Sequence, residues 1–149
     1  MNRGDLRTIL LAEDNPADAE MTMDALREAK LANPVVHVED GVETLHYLRC
    51  TGPYASRTPG PPAVVLLDIK MPLMDGLEVL TQMRSDPALK RVPVVVLSSS
   101  REESDLIRSW DLGVNAYVVK PVDVKQFFEA VQTLGTFWAV LNQAPFTSD

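Results

Sequence analysis

The chain has 149 residues, a length that suits one domain, and its 46% hydrophobic and 23% charged residues supply both a core and a solvated surface. A net charge of −7 disfavours non-specific contact with nucleic acid or anionic membrane, and no apolar run approaches the ~18 residues that a spanning helix needs. The single cysteine, Cys50, excludes an internal disulfide and any Cys-x-x-Cys site, so it reads as an incidental thiol in a reducing compartment; with no signal-peptide pattern, the expected location is the cytoplasm.

Thr8–Ala12 (TILLA) is a short run of strand formers that stops on Glu13-Asp14. Asn15-Pro16 reads as an N-cap with proline at the first helical position, and Ala19, Met23 and Leu26 carry a helix to about Lys30. Val35–Val38 is a second strand, broken by Asp40-Gly41, after which Val42, Leu45 and Leu48 share one face of a short helix. Residues 50–62 hold four of the chain's eleven prolines and two of its glycines, which predicts a stiff loop. Ala63–Asp68 is the third strand, and Leu77, Leu80 and Met83 mark the next helix. Val92–Leu97 is the fourth strand, followed by three serines and a helix over Glu102–Leu112 closed by Gly113. Ala116–Lys120 is the fifth strand, ended by Pro121, and a last helix begins near Asp123 and runs past Leu134. The order is (βα)5. Strands apolar throughout, alternating with helices, predict an α/β doubly wound fold with a parallel five-stranded sheet covered on both faces.

In such a sheet the carboxyl ends of the strands form the working edge. Glu13 and Asp14, Asp68, Ser98 and Lys120 all fall there. Three convergent carboxylates repel one another unless a cation sits among them, and Mg²⁺, with its preference for oxygen ligands and phosphate, suits them. With an ammonium and a hydroxyl added, the set can bind a phosphoryl group, and a central carboxylate can accept one. Each residue alone has a plainer explanation as a helix cap, a turn or a surface charge; their joint placement argues for the site.

The segments LLAEDNPAD, VVLLDIKMPLMDGLEVL, PVVVLSSS and AYVVKPV resemble the receiver domain of two-component response regulators, over about residues 8–135. The resemblance implies a flavodoxin-like sheet of order 2-1-3-4-5 and phosphoryl transfer from a histidine kinase to Asp68. It implies that Asp14 and Asp68 bind Mg²⁺ directly, Glu13 through water and Lys70 through its main-chain carbonyl. Lys120 would pair with the phosphoryl oxygens, commonly beside a cis bond to Pro121. Ser98 would be the hydroxyl that moves to the phosphoryl group, and Tyr117 the aromatic that turns inward in response. Ser99 fits the small residue beside that hydroxyl, and Lys70 and Ser100 stand where the family tunes phosphoryl lifetime. The plainer reading of Tyr117 is a half-buried strand aromatic that does not move.

The core over 8–135 and the tail over 136–149 suggest a single receiver domain with no output domain, so that its output is a protein contact. The spacing of Phe127, Val131, Leu134, Trp138 and Leu141 predicts one stripe on a long last helix. A helix over Asp123–Leu141 would extend ~28 Å and overhang the sheet. Its outer residues Phe137, Trp138 and Leu141 then suggest a homodimer through this helix, although Gly135 could end it. The proline-rich loop and aromatic C-terminus resemble the stand-alone response regulators of bacterial phytochromes, which implies a light-regulated kinase as donor. Three alternative functions fit the residues less well. A phosphohydrolase of the haloacid-dehalogenase type would need an acid where Lys70 stands. A flavodoxin-like cofactor binder would be repelled by Glu13-Asp14. A receiver fold acting without phosphorylation would not need all five site residues. A DNA-binding role has no support in charge or motif.

Overall fold

The computed structural model describes residues 7–132. Five strands and five helices alternate: β1 (Ile9–Ala12), α1 (Pro16–Glu28), β2 (Val35–Val38), α2 (Gly41–Arg49), β3 (Val64–Asp68), α3 (Gly76–Ser85), β4 (Val94–Ser98), α4 (Arg101–Arg108), β5 (Ala116–Val119) and α5 (Val124–Gln132). All neighbouring strands are parallel, in the order β2-β1-β3-β4-β5.

The three central strands are buried at every position. Side chains alternate across the sheet, so each strand feeds two cores. Ile9, Leu11, Leu66, Val95 and Leu97 pack with Ala19, Leu26 and Phe127 beneath α1 and α5. Leu10, Ala12, Leu67, Val94 and Val96 pack with Leu45, Leu80 and Ile107 beneath α2, α3 and α4. The edge strands depart from the expectation of full coverage: Val35 at the start of β2 is exposed, and only Val118 of β5 is buried.

Local chemistry fixes where each helix begins. Asn15, Asp40, Asp75 and Ser100 are N-caps whose side chains accept from the main-chain N–H three residues on. The start of α2 lies so close to the loop after β3 that a Cβ on Gly41 would stand 2.0 Å from the Met74 carbonyl oxygen. The loop after α2 contains a 3-10 turn at Gly52–Tyr54. It is tied down by Arg57, which stacks over the Tyr47 ring at 4.0 Å and donates to the Tyr47 carbonyl at 2.7 Å. Tyr54 adds a hydrogen bond to Glu43 (2.7 Å), and burial followed by that contact pushes its phenol up to about 12. The stiffness expected from prolines is thus reinforced by side-chain anchors.

Helix α4 ends four residues before the expected Leu112. Asp111 and Gly113 both adopt positive φ (52° and 70°), and the carbonyls of Leu112 and Gly113 accept from Arg84 at the end of α3, each at 2.9 Å. The guanidinium of another element thus holds the loop that follows α4.

Candidate functional site

The sheet reverses its winding direction between β1 and β3, and a crevice opens beyond their carboxyl ends. Glu13 and Asp14 leave β1 there, and Asp68 is the last residue of β3. Glu13 is fully buried, Asp68 is 4% exposed and Asp14 is exposed to solvent. Carboxylate oxygens from all three lie within 4.8 Å of one another. The pairing of Ser98 with Val119 brings the end of β4 alongside β5, and the Lys120 N–H donates to the Ser98 carbonyl (2.8 Å). Lys120 precedes Pro121 through a cis peptide bond.

From β5, the Lys120 ammonium reaches back over this cluster. Nζ lies 3.2 Å from Glu13 Oε1, 3.2 Å from Asp68 Oδ1 and 2.9 Å from Asp18 Oδ2. Burial alone would lower its pKa, but the bond to Asp18 and the charges of Asp68 and Glu13 outweigh that and hold it above the ordinary lysine range. Asp18 is the site residue that sequence reasoning missed. It stands in the first turn of α1, where its own N–H donates to the Asn15 cap (3.0 Å), and it reads as an ordinary helix-start acid. Its position four residues after Asp14, on the turn leaving β1, was the available signal.

One ammonium does not balance the carboxylates around it. Burial first, then the neighbouring Asp68 charge, pushes Glu13 up to about 7, although the Asn15 N–H (3.2 Å) and Lys120 oppose the shift. Burial also raises Asp68, against Lys120 and its hydrogen bonds. The sign of the resulting pH effect follows directly. An unfolded Glu13 releases its proton near 4.5, whereas the folded residue keeps it to about 7. The folded state therefore binds more protons between these values, and stability falls as pH rises through that window. Metal-free protein is expected to lose at most roughly 3 kcal/mol by this route. Thermal unfolding in chelator between pH 5 and 8 measures it, and Glu13→Gln should flatten the slope.

The other expected residues are placed as follows. Ser98 is fully buried and its hydroxyl is hydrogen-bonded to that of Ser104 on α4. Ser99 donates through its N–H to Glu103 Oε1 at 2.8 Å. The Lys70 side chain does not join the acidic cluster; it is exposed, with Nζ 3.8 Å from Glu103 Oε2. Tyr117 is half-buried, with the Arg108 guanidinium 4.2 Å above its ring, and burial raises its pKa. Phe137, Trp138 and Leu141 lie outside the described residues.

The profile of the response regulator receiver domain matches residues 9–132, and the chain belongs to that family. Its parallel 2-1-3-4-5 sheet is the receiver, flavodoxin-like fold. Among solved structures, the chain is 58% identical to the bacteriophytochrome response regulator AtBRR over 93% of this chain and 99% of that one, with a TM-score of 0.87. It is 43% identical to the phosphorylated cyanobacterial phytochrome response regulator RcpA, covering 90% of this chain and 94% of that one, with a TM-score of 0.71. Response regulator Rcp1 of Synechocystis is 36% identical over 89% of this chain and 88% of its own length. An Mn²⁺-bound form of Rcp1 superposes with a TM-score of 0.70, covering 89% of this chain and 94% of that one. Receiver domains are signalling proteins that bind a divalent metal at an acidic pocket and are phosphorylated by histidine kinases. Among the described residues, no helix is long and apolar enough to cross a membrane.

Proposed function

We propose that this chain is a single-domain response regulator that accepts a phosphoryl group on Asp68 from a histidine kinase of the phytochrome type. One observation carries the reading: a nearly buried aspartate at a strand end, held between an acidic cluster and a lysine ammonium. The donor set fits a hard divalent cation, since three carboxylates converge where the described residues supply one ammonium. Glu13, Asp14 and Asp68 would hold Mg²⁺, with the main-chain carbonyl of Lys70 as a further ligand. When bound, the metal would offset the charge of the incoming phosphoryl group.

The chain's own residues supply the rest. Asp68 Oδ forms the new O–P bond as the N–P bond of the donor phosphohistidine breaks, and the imidazole leaves with the electron pair. Lys120 is placed to exchange a carboxylate for a phosphoryl oxygen. Ser98 then turns from Ser104 to the phosphoryl group, and Tyr117 follows inward, reshaping the face of α4, β5 and α5. On this reading the protein catalyses only its own phosphorylation and dephosphorylation, in the cytoplasm, and its output is a contact with another protein. The similarity to AtBRR across 99% of that chain supports the phytochrome assignment and the single-domain form. A homodimer through α5 and the residues after it belongs to the same proposal.

The test is incubation with acetyl phosphate and Mg²⁺ followed by peptide mapping. The mass of one HPO₃ unit is expected on the peptide holding Asp68, and not in chelator. A second arm supplies an autophosphorylated phytochrome-type kinase, from which label should transfer to the chain. Label on another residue, or metal-independent label, would sink the proposal. Repeated turnover of phosphomonoesters would favour a phosphohydrolase instead.

A further inference from the structure

The hydroxyl of Ser98 is fully buried, and its partner is Ser104, itself 4% exposed and on the inner face of α4. Ser104 has a second partner: its hydroxyl donates to the carbonyl oxygen of Ser100 (3.3 Å), one turn back, which leaves its oxygen to accept from Ser98. Ser100 is the N-cap of the same helix and accepts from Glu103 N–H, so that carbonyl stays in place. The two partners are not equivalent for the switch. If Ser98 departs, Ser104 still has Ser100. If Ser104 is removed, Ser98 loses the side-chain partner that holds it in this conformation.

We infer that Ser104 is a positioning residue that holds the Ser98 hydroxyl on α4 and so sets how readily the receiver adopts its phosphorylated form. This rests on the reading of Asp68 as phosphoacceptor and of Ser98 as the hydroxyl that moves to it. Phosphorylation breaks one hydrogen bond of Ser104 while the Ser100 carbonyl keeps the group satisfied, so the helix can release Ser98 without leaving a buried orphan. The arrangement also reaches further. Arg108 stands one turn after Ser104 on α4, and its guanidinium covers the Tyr117 ring. Freed from Ser98, α4 can shift along the line that runs from Ser104 through Arg108 to Tyr117. The serine and the aromatic are thereby coupled through one helix.

The experiment is titration of the full chain with beryllofluoride at saturating Mg²⁺, read by calorimetry. Ser104→Ala removes the Ser98 partner in the unliganded state and the Ser100 bond in both states. The apparent affinity is therefore expected to rise about 2- to 13-fold, the range for a buried neutral hydrogen bond. In a Ser98→Ala background the same substitution should change affinity less than about 2-fold, since no hydroxyl is left to hold. Ser104→Thr keeps the hydroxyl and should behave as the unsubstituted protein. Ser104→Cys, with a weak donor of similar size, should fall between, and supplies the comparison if the alanine chain does not fold. Unchanged or weaker binding by a folded Ser104→Ala chain overturns the inference. So does an equal gain in the Ser98→Ala background, which would mark a general loosening of α4. If the unsubstituted protein takes up no beryllofluoride, the reading of Asp68 fails and the inference falls with it.

Discussion

Asp68→Asn is expected to fold, to keep its contact with Lys120 and to take up no phosphoryl group from acetyl phosphate or from a kinase. The amide offers no nucleophilic carboxylate, so labelling should drop at least ~100-fold, below detection in peptide mapping. The substitution has a second consequence at Glu13. Burial is the first cause of that residue's raised pKa and the Asp68 charge is the second. Neutralising Asp68 should therefore move Glu13 part of the way back toward 4.5, and the loss of stability with rising pH should shrink. Calorimetry of the metal-free variant tests this separately from labelling. Phosphorylation that persists in Asp68→Asn would mean another residue is the acceptor.

Gly76→Ala is expected to cost ~3 kcal/mol or more of stability, because the clash is with main chain that cannot rotate away. A Cβ at Gly76 would lie 2.2 Å from the Asp68 carbonyl oxygen and 2.9 Å from the Ile69 Cα. Gly76 opens α3, and its N–H donates to the Ile69 carbonyl at 2.7 Å, so helix and strand end are clamped together. Relief requires moving the peptide that carries Asp68, and phosphoryl uptake should fall in the protein that remains folded. Urea denaturation measures the first effect and acetyl phosphate labelling the second. A loss under about 1 kcal/mol would show that the junction yields more easily than its geometry implies.

The elements were legible where local chemistry decides. Apolar runs gave the three central strands, and Asn15-Pro16 marked a helix start that the structure keeps. The acidic trio was legible because strand ends in a parallel sheet share one edge, so the residues closing β1 and β3 had to meet. What escaped depends on contacts between distant parts of the chain. The loop that closes α4 early is held by Arg84, 28 and 29 residues from the carbonyls it binds. Asp18 becomes a site residue only through Lys120, 102 positions later. Ser104 sits in an ordinary run, REESDLIR, and nothing in that run points to Ser98. The uneven coverage of β2 and β5 follows from their places at the sheet's two edges, which strand composition does not reveal.

The bridge from Lys120 to Glu13 spans 107 positions, joining the first strand to the last. During synthesis, Glu13, Asp14 and Asp68 leave the ribosome well before the lysine that balances them. A nascent chain halted anywhere short of β5 carries Asp68 without its counter-charge. The acidic cluster is therefore balanced only once the last strand of the sheet has emerged and paired.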